Sequence, residues 1–406
     1  MRPFGLLLVL PLLLAADWPQ WRGPHRDSTV QDAAWPDKLS GLEKRWRVPL
    51  DKGYPGPIVS KDRVWVAETR QAKDEVVRCL DRATGKQLWE TSWPGSMTVP
   101  FFARANGSWI RATPAYDGES LYVAGMRDVL VCLDAATGKE RWRVDFMERF
   151  KSPLPAFGFV SSPLVEGDAV YVQAGASLVK LNKKTGETLW RTLKDEGGMY
   201  GSAFSSPTFA TLAGKRQLLV QTRTTLAGVE PEDGSILWGQ KIPAMRGMNI
   251  LTPTVYGEGV FTSAYGAKTY LFTINRDSTD SPKMKVAEGW NLAMEGYMSS
   301  PVVIGKHAYL HLRNQRVTCV NLETGKTSWT TTKTYGKYWS MISNGDKILA
   351  LDERGILYLL KANPEKFELL DEKKVSDQEC WGHLAISEDE LFIRELQAIS
   401  AWKWNK

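Results

Sequence analysis

The chain has 406 residues, 17 of them Trp, a formal net charge of +6, four Cys and four His. That charge is mild for the length and no long basic run occurs, so nucleic-acid binding is not indicated, and four His supply little for imidazole acid–base chemistry. There is no G-x-S-x-G, no H-E-x-x-H and no phosphate loop.

Residues 1–16, MRPFGLLLVLPLLLAA, join Arg2 to an apolar core from Phe4 to Leu14 and to the small residues Ala15 and Ala16. This is the pattern of a cleavable export signal, cut before Asp17, and the apolar run is short for a membrane span. No Cys lies near the cut, so no lipid anchor is expected there, and the exported protein is expected in the periplasm or outside the cell. Residues 17–41 open with DWPQWRGPHRDS; paired Trp and Pro without periodicity predict an extended segment laid over the body. Arg22 and His25 within it read as packing groups.

From residue 42 onward the chain repeats itself. VCLDAATGKERWRV, at 131–144, reads as strand, tight turn, strand, with Asp, Thr and Gly supplying the turn. Variants are CLDRATGKQLW at 79–89, KLNKKTGETLW at 180–190, GVEPEDGSILW at 228–238 and CVNLETGKTSW at 319–329. The Trp series is Trp46, Trp89, Trp142, Trp190, Trp238, Trp290 and Trp329, with Phe367 as a weaker substitute; successive spacings run from 38 to 53 residues. Periods of this size with several short strands signal propeller blades. Each buried indole would hide roughly 150–250 Å², worth at most about 4–6 kcal/mol, and all seven Trp read as structural contacts between blades.

Predicted blades cover 57–93, 113–144, 162–192, 206–242, 252–292, 300–331 and 342–373. Blade five replaces the Thr-Gly turn with NRDSTDSP. Residues 383–406 supply three strands, and the orphan strand at 42–50 supplies the fourth, which closes the ring and leaves no open edge. The expectation is one eight-bladed all-β propeller over 42–406. Cys79, Cys132 and Cys319 share one repeat position and read as small buried apolar groups rather than disulfide partners; Cys380 stands in a loop.

The A-x-x-T-G-x-x-x-W units resemble the tryptophan-docking repeats of the pyrroloquinoline-quinone-type (PQQ-like) eight-bladed propellers, and DWPQWRGP resembles the start of exported repeat proteins related to the BamB lipoprotein. The resemblance implies one of two trades. Quinoprotein dehydrogenases hold PQQ and calcium over the propeller axis and carry an adjacent Cys pair, which this chain lacks. BamB-like scaffolds bind protein partners through loops and catalyse nothing. The expectation is therefore a monomeric scaffold with a protein partner, no cofactor and no metal. A PQQ- and calcium-dependent dehydrogenase and a carbohydrate- or polymer-binding module are the alternatives.

In an up-and-down blade the second turn and the connection to the next blade share one face. The connections are aromatic and Met-rich, and include Trp339 and Trp381. The second turns offer Arg70, Arg127, Arg223, Arg313, Arg354 and Arg394 with Asp128, Asp352 and Glu395; a ring of guanidinium groups could hold an anion by paired bonds. Arg127, Arg223, Arg313, Arg354, Arg394, Asp352, Trp339 and Trp381 are the candidate binding residues. His307 and His311 share one strand face, without a third metal ligand in the sequence nearby.

Overall fold

Each repeat folds into four short antiparallel strands, because its two middle segments are apolar throughout and its last segment alternates. In blade one the strands are Ile58–Val59, Arg63–Arg70, Asp74–Asp81 and Gln87–Pro94. The second is buried almost throughout, whereas the outermost shows one face to water. The structure, a computed structural model, describes residues 17–31, 35–197, 201–276 and 284–404. The export signal and most of the NRDSTDSP loop lie outside these residues.

Eight such sheets form the ring. Blades two to six occupy 115–145, 164–192, 208–241, 254–292 and 302–330. Blade seven runs from Trp339–Asn344 to Glu368–Lys374 and gains a fifth strand, Thr29–Val30, which pairs in parallel with Ser343 and Asn344. Blade eight combines Ala385–Ser387, Glu390–Glu395 and Ala398–Trp404 with the N-terminal strand Leu42–Pro49, pairing Leu42 with Trp404 and Pro49 with Ala398. The ring closes as the sequence predicts.

A register shift breaks the outermost hairpin of every blade, one residue before the repeat Trp position. The bulge bends the outer strand and re-aims the next side chain. That side chain lands on the following blade. Trp46, Trp89, Trp142, Trp190, Trp290 and Trp329 donate their indole N–H to the carbonyls of Arg82, Ala135, Lys183, Pro231, Leu322 and Asn363, at 2.8–3.2 Å. Five of these rings lie over Gly85, Gly138, Gly186, Gly234 and Gly325, where a Cβ would approach the indole to 2.5–2.8 Å. The turn Gly is thus required twice, for its positive φ and for the absence of a side chain.

Two members of the series differ. Trp238 turns inward and donates to Gln217 Oε1 of its own blade at 2.5 Å, because blade five has no Thr-Gly turn to receive it. Phe367 is not the substitute in blade seven. The bulge register places Asp371 at the Trp position, and Asp371 Oδ2 accepts from the backbone N–H of Leu39 at 2.7 Å. Phe367 instead packs backward, edge-on to Trp329 of blade six. At this outer position the junction of blades seven and eight is polar, and Lys373 Nζ donates to the carbonyls of Leu39 and Leu42, while the inner strands of the two blades share an apolar core.

Nearer the axis a second ring of contacts ties the blades. Gly56 N–H donates to Thr113 Oγ1, Thr113 to Ser162 Oγ, Ser162 to Ser206 Oγ, Ser206 to Thr252 Oγ1 and Thr252 to Ser300 Oγ, at 2.9–3.3 Å. Each of these residues precedes a Pro, which brings no N–H that would need a partner there.

The N-terminal segment does not merely lie over the body. Trp18 bridges to Val59, Tyr116 N–H donates to the Pro19 carbonyl, and Thr29–Val30 reaches blade seven. Between these anchors Arg22 bonds to the carbonyl of Pro301, and Arg26 to those of Pro163 and Ser162. Blades three and six are thereby spanned by one turn of chain, which crosses the axis. His25 is exposed. The four Cys are free and buried, and Cys79, Cys132 and Cys319 each pair across the hairpin with the repeat Trp.

Candidate functional site

The blade connections converge on an axial cavity of about 230 Å³. Trp21 and His383 help to line it, alongside hydroxyls of the axial ring such as Thr113, Ser162, Ser206 and Ser300. His383 is held neutral, burial pulling its pKa down to about 3. Its Nδ1 faces the Leu384 carbonyl at 2.8 Å and so carries the hydrogen; Nε2 then accepts from Ser28 Oγ at 3.1 Å. Ser28 Oγ in turn accepts from Arg22 Nε at 2.7 Å. The N-terminal crossing is thus bonded directly to blade eight.

The wall is aromatic. Trp381 stacks on Tyr54 at 4.3 Å and 7°, and lies 3.5 Å from Tyr338 between ring centroids. Trp339 stacks on His311 and Tyr358. Among the described residues, Arg111 is the one charged side chain of the wall. It donates to the Gly107 carbonyl at 2.6 Å and stands 5.5 Å from the Tyr54 ring; burial lowers its pKa. No carboxylate lines the cavity among the described residues.

Of the sequence candidates, the structure brings Trp339 and Trp381 together here. The Arg residues go elsewhere. Arg394 is buried, 1% exposed, and bonds to the carbonyls of Glu395, Ala398 and Asp51. Arg354 pairs with buried Asp352, which also accepts from the backbone N–H of Gly336 and Ile356. Arg313 pairs with Glu295 at 3.0 Å and Arg70 with Glu90 at 2.7 Å. Arg223 donates to the Gly197 carbonyl at 2.8 Å. Arg127 is exposed. Most of these guanidinium groups are already paired, so they form no shared anion cradle. Asp128 accepts from Gly175 N–H of the next blade at 2.9 Å, and Glu75 from Met126 N–H at 2.6 Å. Burial pushes both carboxyls up to about 7.

Tyr54, Arg111, Tyr338 and Trp21 were missed by sequence reasoning. The one usable signal was the recurrent hydroxyl–Pro step, Thr113-Pro114, Ser162-Pro163, Ser206-Pro207, Thr252-Pro253 and Ser300-Pro301, which marks where each blade meets the axis.

Calcium takes oxygen ligands with carboxylates prominent. The cavity offers rings, hydroxyls, Asn106 and a guanidinium group, and no group of three His, Cys, Asp or Glu able to hold a metal occurs among the described residues. This donor set does not fit a calcium-bound quinone.

A family model described as outer membrane protein assembly factor BamB matches residues 73–331. BamB of Moranella endobia is 24% identical over 333 residues, covering 79% of this chain and 77% of that one. The serine/threonine-protein kinase AfsK of Streptomyces griseus is 30% identical over 160 residues, which span 38% of this chain and only 18% of the kinase. Among solved structures, BamB from Moraxella catarrhalis superposes with a TM-score of 0.63 at 16% identity, over 89% of this chain and 99% of that one.

Proposed function

The chain belongs to the BamB family of PQQ-like propellers, and from that premise we propose that it is an exported, monomeric, non-catalytic scaffold that docks a protein partner on the face formed by its between-blade loops. One observation carries this reading. Phe101, Phe102 and Met245, 79%, 45% and 50% exposed, stand on these loops, whereas the other large exposed apolar residues are scattered over the outer strands and their turns. The Arg246 guanidinium lies over the Phe102 ring at 5.4 Å, and Phe102 continues edge-on to Phe157 and from there to Phe204. Exposed aromatics beside Arg are the composition of binding hot spots. Arg104 and Arg246, both exposed, favour a partner segment that is apolar and flanked by acidic residues.

A photo-crosslinking residue at position 102, installed in the producing cell, tests this. A discrete adduct at 102 and 245 that is absent at Ala136, on the opposite face, and lost with Arg246→Glu supports the reading. No adduct at 102, or the same adducts at all three positions, overturns it.

A further inference from the structure

Protein docking on the outer loops leaves the axial cavity unexplained, and its chemistry is one-sided. Arg111 brings a positive charge into an aromatic wall, and among the described residues it has no carboxylate partner; it donates to the neutral Gly107 carbonyl, and the titratable groups that bear on it are Tyr54 and Tyr338. Its Nε is buried without a hydrogen-bond partner. Two more guanidinium groups lie behind the floor: Arg22 and Arg26 stand 5.5 and 5.8 Å from the Trp21 ring. Both are buried, and both bond to neutral oxygens, of Ser28, Asp27 and Pro301 for Arg22 and of Gln20, Ser162 and Pro163 for Arg26. Among the described residues, Asp27 is the only carboxylate that bears on Arg22, and none bears on Arg26. Unpaired buried cations are costly, and their field adds in a site walled by apolar rings.

The free hydrogen-bonding groups point the same way. Tyr338 Oη, Trp339 Nε1, Trp381 Nε1, Ser299 Oγ and Ser340 Oγ are buried without partners. Indole and guanidinium groups can only donate. Hydroxyls can do either, but the charge of the wall is positive only, since no carboxylate lines the cavity among the described residues. A ligand with acceptor oxygens, a negative charge and a flat apolar body completes what the cavity lacks.

We propose that the axial cavity binds a small planar organic anion, an aromatic or unsaturated monocarboxylate, with its carboxylate toward Arg111 and its flat body among the aromatic side chains of the wall. The cavity adjoins the docking face through Phe157 and Phe204, but Phe101, Phe102 and Met245 do not line it.

The test uses 2-naphthoate and its neutral isostere 2-naphthamide, each titrated into the full exported protein and followed by Trp fluorescence and calorimetry. The carboxylate should bind about tenfold or more tightly than the amide, as a charge-assisted bond requires. Arg111→Gln should abolish that preference, bringing the two affinities together. Equal affinity of the two probes for the parent protein overturns the proposal, and this comparison needs no variant. So does the absence of binding by either probe at about 10 mM, or undiminished carboxylate preference in R111Q. The crosslinking at position 102 is read without any added ligand, so failure of one reading is distinguishable from failure of the other.

Discussion

Replacing Gly138 with Ala probes how the blades hold one another. Gly138 has φ +74°, and a Cβ there would lie 2.5 Å from Trp89 Cε3 and 2.8 Å from Thr91 Oγ1. Two costs add. A left-handed backbone costs an L-residue about 1–2 kcal/mol. The methyl group must also lift the indole off the turn and break its 3.2 Å bond to Ala135, for about 1–2 kcal/mol more. Gly167 separates the two, because its φ is +56° while nothing lies within 4 Å of its Cβ position. Gly167→Ala therefore carries only the backbone cost. At roughly 2.1 cal/mol/K per residue, a cooperative unit of this size loses about 1 °C of Tm per kcal/mol. Calorimetry should then show a fall of about 2–5 °C for G138A and about 1–2 °C for G167A. Equal shifts would refute the reasoning, since the indole on its turn would then add nothing.

Arg394→Met should cost about 3 kcal/mol or more in urea unfolding, because three carbonyls lose their donor inside the ring, whereas exposed Arg127→Ala should stay within about 0.5 kcal/mol; similar effects would contradict the structural role of Arg394. Gln217→Leu should cost about 1–3 kcal/mol by leaving the Trp238 indole N–H buried and unpaired, and an unchanged denaturation midpoint would show that the indole finds another partner. Glu75 and Asp128 have carboxyls raised to about 7 from 4.5 and 3.8, so the stability each contributes is complete below its unfolded value and is lost as pH rises to about 7. Relative to the Glu75→Gln/Asp128→Asn double variant, the parent should therefore lose about 1.4 kcal/mol per pH unit per group between roughly pH 4.5 and 7. Urea midpoints at pH 5 and pH 8 measure this, and a constant difference between the two proteins would exclude these carboxyls as its source.

The blades were legible because turn, bulge and indole fall within a dozen residues, so one local pattern carries the whole contact. Where the contact partner is distant, the pattern misleads. Asp371 does the work of a Trp by binding Leu39, more than 300 residues away in sequence, and no aromatic marks it. Arg127, Arg223, Arg313 and Arg354 do lie on second turns, whereas Arg70 and Arg394 belong to the second strands, and their partners come from other strands and other blades, as when Arg394 reaches Asp51. Residue type alone could not reveal that these charges were already satisfied. The axial wall draws Tyr54, Arg111, Tyr338 and Trp381 from separate connections. Only the ring geometry brings them together, so Trp339 and Trp381 were found as loop aromatics and their neighbours were not.

The pairing of Leu42 with Trp404 also sets an order of events during synthesis. The strand Leu42–Pro49 is made long before its hydrogen-bonding partner, Ala398–Trp404. The crossing segment waits as well, since Arg22 needs Pro301 and Val30 needs Asn344. In that interval Leu42–Pro49 is an unpaired edge, the kind of segment that recruits other chains. Its sequence, LEKRWRVP, answers the hazard: Glu43, Lys44, Arg45 and Arg47 are charged, and Pro49 ends it without a donor. The same charges remain on the rim after closure, so a strand built to stay solitary becomes the outer wall of the finished ring.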